Sequence, residues 1–274
     1  MITRHQLFTL FKYSVYAAVI LNIYLFFVEE WTASLLQYPD GVPAGSLVEA
    51  YAATIDTAAW VILILMFETE TSILSDEHFT RPVVWSLHAL RIFSYGFIVY
   101  AFYGYIVNVQ VVSQVDIAAG ITNLCDVVSG NWSYAVILDQ YEPITSESCA
   151  AFSDASRFYQ YSGMQVLVDQ AGFTDILRLA WVDVINGGVW LLVVLNLEID
   201  VRLQEHGKLD GIVLKISNVS KFFIYAVLFL AAVYWGFKGD FLDFWDAFLW
   251  LLAFVSIEMN VFNWRTESLH EREI

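Results

Sequence analysis

A short polar pattern occurs three times inside apolar runs, and it constrains the fold more than any other feature of the sequence. In each copy a carboxylate or amide residue precedes a Trp by four positions, and a Glu follows that Trp by eight positions. A further acidic or amide residue stands two positions beyond the Glu. The copies are Asp56, Trp60, Glu68, Glu70; Asn186, Trp190, Glu198, Asp200; and Asp246, Trp250, Glu258, Asn260. Such a repeat predicts a structure assembled from similar units.

Composition indicates that these units lie in a membrane. Hydrophobic residues make up 58% of the chain, the mean hydropathy is +0.59, and only 15% of the residues are charged. A spanning helix needs roughly 20 apolar residues, and suitable runs lie near 13–28, 50–67, 92–109, 177–197, 222–237 and 242–262. The sequence therefore predicts an all-α integral membrane protein with six transmembrane helices. No cleavage site follows the first run, so we expect that run to remain as a helix.

A second pattern on the odd-numbered runs predicts how the helices pair. A basic residue precedes a Tyr by twelve or thirteen positions on each of these runs. Twelve residues cover about 18 Å on any helix. In an antiparallel pair of helices, the basic residue of one would then lie level with the Glu of the other, and the Tyr would lie level with the Asp or Asn. The predicted pairs are Lys12 with Glu68 and Tyr24 with Asp56; Arg91 with Glu198 and Tyr103 with Asn186; and Lys221 with Glu258 and Tyr234 with Asp246.

These pairs predict three helical hairpin repeats related by a pseudo-threefold axis. The first hairpin covers 1–72, the second combines 83–109 with 176–202, the third covers 215–264, and a tail follows at 265–274. Residues 110–175 form an insert between helices 3 and 4. The prolines lie outside the predicted helices, so unbroken helices are expected. The second acidic or amide positions, Glu70, Asp200 and Asn260, are about 200° from the preceding Glu around the helix. We expect them to face cytoplasmic water or, as the alternative, to form a ring at a cation-selective mouth.

The distribution of basic residues predicts the orientation in the membrane. Most of the 13 Lys and Arg residues fall in the two termini and in the 68–91 and 198–221 loops. Because cytoplasmic loops are enriched in Lys and Arg, both termini should be cytoplasmic and the insert extracytoplasmic. The expected location is a bacterial inner membrane or a plasma membrane. Most of the net charge of −16 would then lie outside, where it would attract cations and exclude nucleic acid as a partner.

Both cysteines of the chain, Cys125 and Cys149, lie in the insert. An extracytoplasmic compartment is oxidising, so the sequence predicts a disulfide between them. The insert contains no His, and a zinc or redox site is therefore not indicated.

Three polar residues within the apolar runs, Asp56, Asn186 and Asp246, are the candidate outer site, and Asp183 lies near them. Ionisable groups at membrane depth are costly and suggest function by default. We therefore expect a transporter or channel for a small cation or proton, in which Glu68, Glu198 and Glu258 form an inner network. The alternative is that the polar groups only fasten the hairpins, as in a non-conducting scaffold or an accessory subunit of a larger complex.

No enzyme motif is present. The five histidines lie at the termini or in the predicted cytoplasmic loops, and the chain lacks HExxH, CxxC, P-loop and dinucleotide-binding patterns. The sequence thus predicts no catalysis, no metal and no cofactor. The expected partners are membrane lipid, a small cation or proton, and further copies of the chain or a larger membrane complex.

Overall fold

The computed structural model of the protein describes residues 4–38, 40–70, 80–153, 157–206 and 208–255. The chain is mostly helical, at 75%, with one five-stranded sheet. It divides into two compact units. The sheet-bearing unit is Ile23–Gly188, and the helical unit combines Met1–Asn22 with Val189–Ile274.

Seven α-helices are described. Their bounds are α1 Arg4–Gln37, α2 Leu47–Ala50, α3 Ala52–Glu68, α4 Arg81–Ser113, α5 Gln170–Glu205, α6 Gly211–Lys238 and α7 241–255. Two short 3-10 helices, Ala44–Ser46 and Leu124–Gly130, precede α2 and the second strand. Pro82 lies in the first turn of α4, where its missing N–H removes no helical hydrogen bond.

Four of the described helices are long and apolar enough to cross a membrane. They are Gln6–Gln37, Arg81–Ser113, Gln170–Asp200 and Gly211–Lys238, with mean hydropathies between 1.4 and 1.8. A fifth span arises if α3 is joined to the short helices before it. The sixth predicted run, 242–262, extends beyond the described residues.

The second predicted run is broken near its start, which corrects the expectation of unbroken helices. Segments Ala44–Ala50 and Ala52–Glu68 differ in direction by 67°, and Tyr51 between them has a non-helical backbone conformation. Proline is absent from the break. The physical reason is tertiary: Glu30 of α1 supplies acceptors for the freed amides at the start of α3.

The insert forms the five-stranded sheet, so the all-α assignment was wrong for this segment. The strands are β1 Val115–Ile117, β2 Ser133–Ile137, β3 Gln140–Pro143, β4 Phe158–Tyr161 and β5 Val166–Asp169. Their order is β1-β4-β5-β2-β3, and all neighbours are antiparallel except β2 and β5. Aromatic and β-branched residues dominate β2, β4 and β5, as expected for a half-buried sheet.

A disulfide and a small apolar core hold the sheet domain together. Leu124, Phe158 and Leu167 are almost completely buried in this core. Cys125 is bonded to Cys149, which confirms the predicted disulfide. The core and the disulfide together make the insert a folded domain rather than an extended loop.

Asp169 joins the sheet domain to α5. It is the last residue of β5, and its Oδ1 accepts a hydrogen bond from the Gly172 backbone N–H at 2.6 Å. An Asp at this position satisfies an amide of the first helical turn and favours the helix start.

Small residues allow close packing between the helices of the sheet-bearing unit. A Cβ atom added at Gly104 of α4 would lie 2.8 Å from the Val48 carbonyl oxygen and 3.2 Å from Ala52 Cβ. Gly187 of α5 faces the rings of Phe102 and Tyr105. The Gly104 contact therefore brings α4 directly against the break between α2 and α3.

Candidate intramembrane site

One polar contact in the helical unit joins α1 to α7. Asn22 is 0% exposed, and its Nδ2 donates a hydrogen bond to Asp246 Oδ1 at 2.7 Å. The Trp250 indole N–H also donates to the Asp246 carboxylate. Residues four apart share one face of a helix, and an indole N–H is only a donor. The four-residue spacing in the third copy of the repeat thus places a neutral donor beside an acidic group.

One atom of this contact has no partner. Asn22 Oδ1 is buried and accepts no hydrogen bond from any residue that the structure describes. Leaving a buried acceptor unsatisfied costs about 1–3 kcal/mol. Such atoms are uncommon in native proteins, and each calls for an explanation.

Two further carboxyl groups precede Asp246 at intervals of three residues. Asp240 lies at the start of α7 and is 3% exposed, and its side chain interacts with Asp243 one turn later. Its own backbone N–H donates to the Trp235 carbonyl at 3.0 Å, after Gly239 with φ 86° ends α6. Burial raises the pKa of Asp240.

Only the third copy of the repeat contains this acidic series. At the two preceding positions the first copy has Ala50 and Ala53, and the second copy has Ala180 and Asp183. Asp240 was not predicted as a site residue, although the three copies of the repeat differ at its position.

One buried carboxylate of the sheet-bearing unit is Glu30 of α1. Its side chain accepts hydrogen bonds from the backbone N–H groups of Ala53 at 2.8 Å and Thr54 at 3.2 Å, and from Thr54 Oγ1 at 2.5 Å. The N-cap residue Tyr51 makes no side-chain capping bond. Glu30 therefore caps α3 from another helix.

Asp56 pairs with a different Tyr from the one predicted. Its Oδ2 accepts a hydrogen bond from the Tyr105 hydroxyl at 3.3 Å, instead of the predicted bond from Tyr24. The side chains of Tyr24 and Tyr103 are 63% and 58% exposed. Tyr105 follows Gly104, so the close approach of α4 carries Tyr105 to α3. Two residues are about 200° apart on a helix, which explains why Tyr103 faces away.

Among the described residues, Asn186 and Asp246 do not have the Tyr partners that were predicted for them. Asn186 Oδ1 is buried and accepts no hydrogen bond among the described residues, from Tyr103 or any other. Asp246 binds Asn22 instead of Tyr234. The Tyr234 ring lies 6.0 Å from Lys238 Nζ. Asp183 lies half-buried one turn before Asn186 on α5.

The ion pairs also differ from the predicted ones. Arg91 contacts Glu70 at 2.7 Å instead of Glu198, and Lys221 contacts Asp200 at 2.9 Å, at the position predicted for Glu258. Ser217 Oγ donates to the same Asp200 Oδ2 at 2.7 Å. The second acidic residue of the motif therefore binds the following helix, and the prediction that it faces water was wrong.

Both ion pairs join residues 21 positions apart, one on each side of a loop. Glu198 instead pairs with Arg202 one turn along α5, at 2.9 Å, and both side chains are mostly exposed. Lys12 and Glu68 are both buried, at 7% and 3% exposed. Glu258 and Asn260 lie outside the described residues.

Two hydrogen bonds connect the sheet domain to α1 on either side of Glu30. Gln140 Nε2 donates to Glu29 Oε1 at 2.9 Å, and Gln37 Nε2 donates to the Tyr141 hydroxyl at 2.5 Å. Both contacts come from β3. On α1, Glu29 is next to Glu30, the residue that caps α3, and Gln37 lies two turns after it. The sheet domain is therefore anchored to the helix segment that stabilises the break.

The described residues contain no group of three or more His, Cys, Asp or Glu side chains that could hold a metal ion. Comparisons of the chain with protein-family models, with curated proteins and with solved structures found no match.

Proposed function

We propose that this protein moves a small cation or a proton across a membrane, with Asp246 and Asn22 as its binding site. The observation that carries this proposal is the buried Asn22 amide, whose Nδ2 contacts Asp246 while its Oδ1 is unsatisfied. A carboxylate inside an apolar helix bundle is costly and is usually retained for function. The unsatisfied oxygen next to it offers an acceptor for whatever Asp246 binds.

The Asp246 carboxyl group has hydrogen-bond partners in two arrangements. When Asp246 is ionised, it accepts hydrogen bonds from Asn22 Nδ2 and from the Trp250 indole. After Asp246 binds a proton, its O–H needs an acceptor, and rotation of the Asn22 amide presents Oδ1. A small cation would likewise lie between the Asp246 carboxylate and the rotated Oδ1. Exchange between these arrangements allows binding and release without an unpaired buried charge.

The proposed architecture has six spans in three hairpin repeats, with the sheet domain outside and both termini in the cytoplasm. Four long apolar helices support the membrane location. The Glu70–Arg91 and Asp200–Lys221 pairs have equal spacing in the sequence, and each joins one proposed hairpin to the next. A bacterial inner membrane or a plasma membrane remains the proposed location.

The test is ion flux into proteoliposomes, with proton, sodium and potassium gradients applied in separate experiments. We expect flux through the native protein and its loss in Asp246→Asn. The matched control is Glu198→Gln, since Glu198 is largely exposed and pairs only within its own helix; flux should be unchanged. Absence of flux through native protein under every gradient would refute the transport function.

A second function, a non-conducting scaffold or accessory subunit, is supported by the contacts that join different helices. Arg91–Glu70, Lys221–Asp200 and Tyr105–Asp56 all satisfy polar groups between elements that are separate in sequence. In membranes such contacts contribute about 0.6–2 kcal/mol each. If the protein is a scaffold, native protein should show no flux, and Asp246→Asn should only lower thermal stability. If it is a transporter, the Asp246→Asn variant should still fold but should lose flux.

A further inference from the structure

We propose that α5 and α6 form a second binding site, which takes up a small monovalent metal cation in exchange for the Lys221 ammonium group. This inference rests on the transport function proposed above and specifies the class of its substrate. The site consists of two polar side chains from α5 and three from α6. They are Asn196, Asp200, Ser217, Ser220 and Lys221.

The spacing of these residues places them on facing sides of the two helices. Asn196 and Asp200 are one turn apart on α5, and Ser220 and Lys221 lie one turn after Ser217 on α6. Residues three or four apart share a helix face. Asn196 Nδ2 donates to Ser220 Oγ at 2.9 Å, and Ser217 Oγ donates to Asp200 Oδ2 at 2.7 Å. Each of the two α5 residues therefore contacts a hydroxyl group of α6.

One hydrogen atom in this cluster has two acceptors. The Ser217 hydroxyl lies 2.7 Å from Asp200 Oδ2 and 3.4 Å from Asn196 Oδ1. A serine carries a single O–H hydrogen, and a charged acceptor gives the stronger bond. The hydrogen therefore goes to Asp200, and Asn196 Oδ1 is left with a long, weak contact. A cation bound among these oxygens would interact with all of them at once, since each has lone pairs to offer.

The Asp200 carboxylate already holds a positive charge that is able to leave. Lys221 Nζ contacts Asp200 Oδ2 at 2.9 Å, the same oxygen that the Ser217 hydroxyl binds. The Lys221 side chain is 25% exposed, and a lysine stem can extend its ammonium group into water. Exchange of the ammonium for a metal cation keeps the 9% exposed Asp200 paired with a positive charge throughout.

The chemistry of the remaining groups favours a monovalent metal cation. Apart from Lys221, the cluster offers one carboxylate, one amide carbonyl oxygen and two hydroxyl oxygens. Hard metal cations prefer oxygen ligands of these kinds. A hydroxyl group can turn from donor to acceptor without any movement of the backbone, so Ser217 can become a ligand in place. A single carboxylate balances a single positive charge, which favours a monovalent ion over a divalent one.

The test follows the reaction of Lys221 with an amine-specific ester at fixed pH and ionic strength, with the labelled positions located by mass spectrometry. Sodium, lithium or potassium chloride replaces N-methylglucamine chloride, whose organic cation is too large for these side chains to surround. For at least one metal cation we expect Lys221 labelling to rise about two- to fourfold, because release from Asp200 exposes the side chain. Lys215, exposed on the same helix, is the internal control and should not respond.

Substitutions at Ser217 separate cation binding from a folding defect. Ser217→Ala removes one ligand and leaves the Asp200–Lys221 ion pair in place, so the variant should fold. At the cation concentration that half-saturates native protein, its Lys221 labelling should not respond. Ser217→Thr keeps a hydroxyl group and should retain the response. The matched control is Ser14→Ala, which alters an exposed serine of the same unit that bonds the Leu10 carbonyl and should respond like native protein.

Flux measurements on the same proteins distinguish failure of this inference from failure of the transport function. Metal-cation flux that falls in Ser217→Ala would support the site. Metal-cation flux through native protein without any change in Lys221 labelling, or an unaltered response in Ser217→Ala, would overturn the site and leave transport intact. Cation-dependent labelling without flux would refute transport and leave cation binding at Asp200. Proton flux with no response of Lys221 to any of the three metal cations would overturn the substrate class.

Discussion

Asn22 and Asp246 are 224 residues apart in the sequence, yet the amide of one donates to the carboxylate of the other at 2.7 Å. This contact ties the first described helix to the last. We expect Asn22→Leu to lower the free energy of unfolding by about 2 kcal/mol, because the Asp246 charge loses a buried donor.

A double-mutant cycle isolates the contribution of that contact. Asn22→Leu combined with Asp246→Leu should cost less than the sum of the single changes, with a coupling energy of about 0.6–2 kcal/mol. Unfolding in detergent micelles measures all four proteins. Strict additivity of the two substitutions would show that the contact is not formed.

The two interhelical ion pairs should differ in strength from the pair within α5. We expect Asp200→Asn to destabilise by about 1–2 kcal/mol, since Lys221 and Ser217 both lose an acceptor in a largely buried place. Glu198→Gln should change stability by less than about 0.5 kcal/mol, because its partner Arg202 is mostly exposed. Equal effects in thermal melts would contradict this ranking.

Gly104→Ala should disrupt the packing of α4 against the break before α3. The added Cβ would lie 2.8 Å from the Val48 carbonyl oxygen, so the helices must separate. We expect a loss of roughly 1–3 kcal/mol and a weaker Tyr105–Asp56 hydrogen bond. Gly96→Ala on the same helix is the control: nothing lies within 4 Å of its added Cβ, so improved helix propensity should leave stability equal or higher.

Removal of the disulfide should destabilise the sheet domain alone. Cys125 and Cys149 are 24 residues apart, and closing a loop of that length stabilises by about 3 kcal/mol through loss of unfolded-chain entropy. Proteolysis of Cys125→Ser, Cys149→Ser protein should therefore begin within 110–175, with the helices left largely intact. Native protein treated with a reductant should give the same fragments, and unchanged cleavage would contradict the prediction.

Alkaline pH should unfold the sheet domain through its buried tyrosines. Burial, and then the nearby Asp169 charge, raise the pKa of Tyr134 to about 12, and burial raises the pKa of Tyr161 as well. Because the neutral form is favoured in the folded state, their stabilising contribution is complete below pH ~10 and is lost as pH rises toward 12. Circular dichroism and tyrosinate absorbance should show this transition. Tyr134→Phe, which cannot ionise, should shift it to higher pH.

Local features of the fold followed from the sequence because they depend on short spacings or composition. Runs of apolar residues located four helices that can cross a membrane, and the two cysteines in one insert predicted their disulfide. The strands of the insert were missed because they are only three to five residues long.

Only the tertiary structure decided which polar residues meet. The sequence paired Arg91 with Glu198 and Asp56 with Tyr24, so the helices that carry the observed partners were not predicted. In addition, neighbouring positions such as Glu68 and Glu70 point in nearly opposite directions around a helix. Arg91 binds Glu70, and Asp56 binds Tyr105. Which residues face each other depends on how each helix packs over its whole length, including the contact of Gly104 with Val48. A partner choice that depends on helix rotation is therefore settled only by the packed structure.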